Sequence, residues 1–206
     1  LDYYNYLDKL LDNVNLTEYG NTYEGKPLVY LMVSSKKNMV KLQSIKNSIS
    51  TLADPRLIKT ATTAKKIIAT TPAIAWMAYG IHGDEISSTD AAVQLAYQLT
   101  AGSDPTTKKI LEELVVSIDP VENPDGRERY LQQLKQWRGA VVNSDASSLD
   151  HSGFWPYGRG NHYLFDLNRD WFATVHPETR GKVSAILEWK PQFLVDSHEM
   201  GAMDTY

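Results

Sequence analysis

Two uninterrupted apolar runs stand out in the first half of the chain. Leu28 to Val33 (LVYLMV) follows Gly25 and Pro27, and Ala73 to Tyr79 lies between Pro72 and Gly80. Runs of this length bounded by turn residues predict buried strands. Between them Val40, Ile45 and Ile49 recur at roughly helical spacing, and Asp54-Pro55 opens a second predicted helix running through Ile67.

After His82-Gly83 the segment Glu85 to Leu99 carries Ile86, Ala91, Val93, Leu95 and Leu99 among Ser, Thr and Gln, the pattern of an amphipathic helix. A third strand is predicted at Leu114 to Ile118, and a helix at Gly126 to Arg138 with Tyr130, Leu131 and Leu134 inward. Asn143 to His162 reads as a long polar and aromatic loop, of a length that inside a domain usually carries function. A helix at Glu178 to Trp189 and a strand at Phe193 to Val195 complete the chain. Apolar strands alternating with helices predict the α/β class: a mostly parallel, mixed sheet flanked by helices, in one domain over residues 1–206. Ligands of such sheets lie beyond the C-terminal ends of the strands, and His82 and His198 both fall just past a strand end.

Composition changes this picture little but narrows the chemistry. Of 206 residues 42% are hydrophobic and 22% charged, the balance of a globular domain with a sizeable core. Lys and Arg total 21 against 25 Asp and Glu, and the resulting net charge of -4 gives no broad electrostatic footprint for nucleic acid or an anionic membrane. No apolar run is long enough to span a membrane. Cysteine is absent, so thiolate nucleophiles, disulfides and Cys-type zinc sites are excluded, and a metal would have to be held by His and carboxylate.

His82-Gly-Asp-Glu85 sets an imidazole and a carboxylate on one turn at a strand-to-helix junction, where both can face one ion. Alone, the pair equally fits a surface histidine beside a first-turn glutamate favoured by the helix dipole. Val195-Asp-Ser-His198 offers a third donor from a strand end. Two histidines, one glutamate and an open position form the ligand class of catalytic zinc in hydrolases. A hydrogen-bonded structural histidine is the competing reading of His198. Asn123-Pro-Asp-Gly126 reads by itself as a tight turn, and Asp166-Leu-Asn-Arg169 as a solvated loop with an ion pair.

Taken in order, HxxE, NPDG, a distal arginine, DxNR and a strand-borne histidine closely resemble the zinc carboxypeptidases of the carboxypeptidase A type, from about Tyr19 (YGNTYEGKPL) to the chain end. The resemblance implies zinc held by His82, Glu85 and His198, with Asp166 orienting the first histidine. It implies that Asn168 and Arg169 clamp the terminal carboxylate of a peptide, so that the partner is a peptide with a free C-terminus. Arg138, twelve residues after Gly126, matches the arginine that stabilises the oxyanion, with Arg159, Arg127 and Arg129 as alternatives. The implied activity is hydrolysis of the C-terminal peptide bond by metal-activated water. Alternatives are a same-fold amidohydrolase acting on peptidoglycan stem peptides or acyl amino acids, and a non-catalytic peptide-binding domain.

Three departures from the family pattern matter. Asp84 stands inside HxxE where digestive members carry a basic residue, and Glu199 follows the third ligand where they carry a small hydroxyl. The segment GFWPYGRGNHYLFDLNRDW resembles exported bacterial members, which implies a periplasmic or secreted protein. The family's general-base glutamate lies well downstream of the third ligand, so the resemblance implies a catalytic domain truncated before its base. Glu199 is not expected to replace it, because a residue next to a strand-end ligand points away from it.

Overall fold

A computed structural model describes residues 1–148, 151 and 153–200. The elements in chain order are α1 (Asp2–Leu10), β1 (Val14–Asn21), β2 (Pro27–Val33), α2 (Lys36–Met39), α3 (Leu42–Ala53), α4 (Ala61–Thr70), β3 (Ala73–Tyr79), α5 (Ile86–Ala101), α6 (Pro105–Glu113), β4 (Leu114–Asp119), α7 (Pro124–Trp137), α8 (Pro177–Trp189) and β5 (Phe193–Ser197). The strands form one sheet in the order β1-β2-β4-β3-β5. Pairing of β3 with β4 and with β5 is parallel, while β2 opposes both its neighbours, so β2 alone runs against the other four strands. This is the mostly parallel α/β sheet that the alternation of elements predicts. Among the described residues, no helix is long and apolar enough to cross a membrane.

Helices cover both faces of the sheet, which is why β2 reads as a continuous apolar run rather than an alternating one. Leu31, Val33, Val116, Ile118 and Tyr79 pack with α5 and α1 on one face; Tyr30, Met32, Val115, Ile74, Trp76 and Ala78 pack with α3 and α8 on the other. Trp76 is fully buried, and the indole N–H of Trp189 donates to the Tyr30 hydroxyl at 2.9 Å. Burial of each large apolar side chain of this kind stabilises the fold by roughly 1.5–3 kcal/mol.

Four local readings change. Val40 lies at the break between α2 and α3 and is 88% exposed, so only Ile45 and Ile49 form the inward face. Asp54-Pro55 opens no more than a three-residue 3-10 turn, because both Asp54 oxygens are taken by Arg56 and the chain turns extended at Ile58; the next helix starts where Thr60 caps α4. In α5 the buried stripe is Ser88, Thr89, Ala92, Ala96 and Leu99, and Val93 faces outward. Asn123-Pro-Asp-Gly126 is a helix start: the Asn123 Oδ1 accepts from the Gly126 N–H at 3.0 Å and Pro124 occupies the first turn of α7. Residues 149, 150 and 152 of the long loop lie outside the described residues.

The parallel trio β4-β3-β5 positions the site, since all three strands end at one edge of the sheet. Tyr79 pairs with Ser197, so the segments that follow them, carrying His82 and His198, leave the sheet side by side.

Candidate metal centre

His82 hangs from the turn after β3, reached through Gly80 at φ +68, and two close backbone approaches hold that turn. A Cβ on Gly83 would lie 2.2 Å from the Arg127 amide nitrogen, and one on Gly126 would lie 2.3 Å from the Gly158 carbonyl oxygen. Backbone therefore fits against backbone only because no side chain intervenes. The Asn123 amide ties the same pieces together by donating to the carbonyls of Ile81 at 3.2 Å and Arg159 at 3.1 Å. Arg129 adds donations to the Tyr157, Gly160 and Asn161 carbonyls, binding the loop to α7.

On this support His82, Glu85 and His198 offer ligand atoms that all lie within 4.8 Å of one another. Nδ1 of His82 is 2.6 Å from Glu85 Oε1, and Nδ1 of His198 is 3.1 Å from Glu85 Oε2. Both imidazoles thus turn the same nitrogen toward one carboxylate, and their ring centroids are 4.9 Å apart. The three side chains are 3%, 11% and 26% exposed in that order, so the cluster opens to solvent on the His198 side. Two neutral nitrogens and a carboxylate suit zinc, which prefers N and O donors at three protein positions with a further position open. Among the described residues this is the one cluster whose donors converge in this way.

The surroundings favour positive charge. Burial raises the Glu85 pKa, but the hydrogen bond from His82, the Glu199 amide and both imidazoles outweigh it and leave it lowered. Asp166 behaves alike: burial opposes ionisation, and the His82 hydrogen bond and the Arg159 cation overcome it. Asp166 Oδ1 lies 3.0 Å from His82 Nε2 and also accepts from the Asn168 N–H at 2.9 Å. The turn that carries it is a 3-10 turn over Leu167–Arg169, capped by the Asp166 side chain.

The remaining expected residues are distributed unequally. Asn168 approaches the centre, its Nδ2 lying 3.5 Å from His198 Nε2 while its Oδ1 accepts from the Trp171 indole at 3.2 Å. Arg169 is exposed and spends one guanidinium nitrogen on the Asn168 carbonyl at 3.2 Å. Arg138 sits beyond the last turn of α7, exposed, with no side-chain hydrogen bond among the described residues. The Arg127 end of the helix abuts the His82 turn, so the helical rise carries Arg138 roughly 16 Å along the axis from there. Arg159 is the arginine at the cluster, 3.1 Å from Asp166 Oδ2 and 3.8 Å from Glu85 Oε1. Arg127 pairs with Asp90 and Arg129 with carbonyls. Glu199 donates its amide to Glu85 Oε2 at 3.0 Å and turns its carboxylate onto the Ser87 N–H, where it caps α5.

Three charged groups near this edge were not singled out from the sequence. Asp196, two residues before His198 on β5, has Oδ2 3.3 Å from His198 Nε2. Deeper in, Lys182 and Glu122 form an ion pair at 2.9 Å, both nearly fully buried. The period of two along a strand could have flagged Asp196 as sharing the face of His198.

Comparison with known proteins agrees with the geometry. The family model described as zinc carboxypeptidase matches residues 3–203. Among solved structures, a candidate carboxypeptidase A from Shewanella denitrificans OS-217 superposes with TM-score 0.62 at 19% identity, covering 96% of this chain and 38% of that one. A metallo-carboxypeptidase from Burkholderia cenocepacia gives TM-score 0.60 at 18% identity, with 95% and 39% covered. Carboxypeptidase A from Helicoverpa armigera gives 0.59 at 18% identity, with 97% and 44% covered. The chain therefore spans about two-fifths of the length of these structures, and identities this low speak to fold alone. A search of curated proteins returns no match. Because the family model runs over nearly the whole chain, the protein belongs to the zinc carboxypeptidase family.

Proposed function

We propose that this chain carries the metal-binding and carboxylate-recognition part of a zinc metallocarboxypeptidase that removes the C-terminal residue of peptides. The observation that supports the reading most is the convergence of His82, Glu85 and His198 donors within 4.8 Å, in a member of a zinc carboxypeptidase family. Those three residues would hold zinc, and Asp166 would keep Nδ1 of His82 facing the ion by accepting its Nε2–H. When bound, zinc polarises a carbonyl and makes water acidic enough to be a nucleophile near neutral pH.

The other residues would bind and orient. Arg169 retains guanidinium donors that make no hydrogen bond among the described residues, and a planar guanidinium meets a carboxylate through two parallel hydrogen bonds. Asn168 stands between that arginine and His198, within reach of the same carboxylate. For the developing negative charge on the scissile carbonyl oxygen, Arg159 is better sited than Arg138, because it already lies against Glu85 and Asp166. A periplasmic or secreted location fits the aromatic loop sequence, and we hold it as part of the same proposal.

The test compares peptides with a free and an amidated C-terminus, using the full product of the open reading frame that encodes this chain. Arg169→Ala is expected to raise KM for the free acid roughly 10- to 100-fold with kcat little changed, since a hydrogen bond to a charged group is worth about 1.5–3 kcal/mol. Arg159→Ala is expected to lower kcat, and Arg138→Ala to leave both constants near wild type. Equal cleavage of the amidated peptide would remove the exopeptidase reading.

A further inference from the structure

Metal binding through Nδ1 leaves each imidazole with a proton on Nε2, and the two histidines meet that requirement with different partners. His82 Nε2 faces Asp166 Oδ1 at 3.0 Å. His198 Nε2 has two neighbours, Asn168 Nδ2 at 3.5 Å and Asp196 Oδ2 at 3.3 Å. Asn168 does not accept the proton, because the atom it turns to Nε2 is Nδ2, itself a donor, while its Oδ1 faces the Trp171 indole N–H. An amide donating to Nε2 would in fact favour the tautomer with the proton on Nδ1, which opposes metal binding.

We propose that Asp196 is the positioning residue of His198: its carboxylate takes the Nε2–H and so commits Nδ1 to the metal, as Asp166 does for His82. The strand supplies the geometry. Asp196 lies on β5 and His198 just past its end, close enough for Asp196 Oδ2 to stand 3.3 Å from His198 Nε2, and parallel pairing with Ala78 fixes Asp196 beside the strand that leads to His82. Asp196 Oδ1 is buried and makes no hydrogen bond among the described residues, while Oδ2 stands 3.3 Å from the His198 ring. The two carboxylates thus come from different elements, one on a loop and one on a strand, each beside one imidazole.

This inference rests on the metal-site reading, and the experiment separates the two. Zinc affinity of the 206-residue chain is measured by competition with a chromophoric chelator, and the thermal midpoint of each zinc-free variant checks folding. Asp196→Ala is expected to weaken zinc binding ~10- to 100-fold, like Asp166→Ala, because partners of ligating histidines contribute on that scale. Asp196→Asn, which keeps an acceptor oxygen, should recover most of the loss. Affinity of Asp196→Ala within threefold of wild type, with His198→Ala clearly weakened, overturns the role of Asp196 and leaves the metal site standing. Affinity unchanged in His198→Ala removes the metal site itself, and the inference with it. A readout on the wild-type chain needs no variant: ¹⁵N-edited NMR of the zinc-loaded histidines should show His198 protonated at Nε2 with that proton shifted downfield by a carboxylate. Coordination of His198 through Nε2 overturns the proposal.

Discussion

His82→Ala should reduce the zinc content of the purified chain from about one ion to near zero, with a loss of affinity above the ~10- to 100-fold expected when a partner of a ligand is removed. The expectation follows from the number of donors. Three side chains supply the whole protein contribution, and Glu85 meets one imidazole with each oxygen, so removing either ring leaves the carboxylate facing a single imidazole. His198→Ala should behave alike, and Glu85→Ala should be at least as severe because it takes away the group between the two rings. His151→Ala is the control, since that ring contacts the Asn143 carbonyl in the exposed loop. Metal analysis after dialysis against a weak chelator decides the matter. Zinc content unchanged in both histidine variants, with the fold intact by circular dichroism, would mean that the ion is held elsewhere.

The parts of this arrangement that were legible in the sequence share a cause. β3 is apolar because it lies inside the sheet between β4 and β5, and β5, an edge strand with Phe193 and Leu194 exposed, carries a shorter apolar run; a polar residue just past either run reaches the end of the sheet where ligands bind. His82 and His198 could therefore be placed from strand ends alone, before any motif was considered. The helix at Pro105 leaves little trace in the apolar pattern because few of its residues are apolar, although Asp104-Pro105 is a helix-start signal and Asp104 Oδ1 does accept from the Thr107 N–H at 3.0 Å. The inward face of α5 leaves little hydropathy signal for a different reason. Ser88, Thr89, Ala92 and Ala96 are too small to dominate a hydropathy pattern, yet small residues are what allow a helix to lie close on a sheet.

At the arginines, spacing along the chain and position in the fold point to different residues. Twelve residues from Gly126 to Arg138 are counted along a helix, which projects its far end away from the site, whereas Arg159 returns in a loop whose path the helix fixes through Arg129. Spacing conveys position only when the local structure between the two points is the same as in the pattern being matched. Buried charges were invisible for a further reason. A lysine or glutamate in a helix or loop is read as solvated, and only the pairing of residues sixty positions apart makes Lys182 and Glu122 an interior pair.

Lys182→Met should destabilise the fold by about 3–5 kcal/mol, the cost typical of removing one member of a buried ion pair. Lys182 is 1% exposed, lies 2.9 Å from Glu122 Oε1 and stands 3.7 Å over the Trp171 ring. Asp119 is fully buried nearby, its carboxylate accepting the Tyr19 hydroxyl at 3.0 Å. Burial raises the pKa of Asp119 and Glu122, the repulsion from neighbouring carboxylates adds to it, and Lys182 partly offsets both. Methionine preserves much of the packing volume, so what the variant removes is chiefly the cation. The sign of the pH dependence follows. Groups with folded pKa values above their unfolded ones stabilise the fold fully at low pH and lose that contribution as pH rises through the folded values. Without Lys182 those values rise further, so the deficit of the variant should be larger at pH 8 than at pH 5, since lower pH moves Asp119 and Glu122 toward their neutral forms. Lys182→Met combined with Glu122→Gln should recover most of the loss, because a neutral amide no longer needs a buried counter-charge. Urea denaturation of the three proteins at both pH values measures this. A single variant within about 1 kcal/mol of wild type, or a double variant no more stable than the single, would show that the lysine is not the counter-charge of this interior.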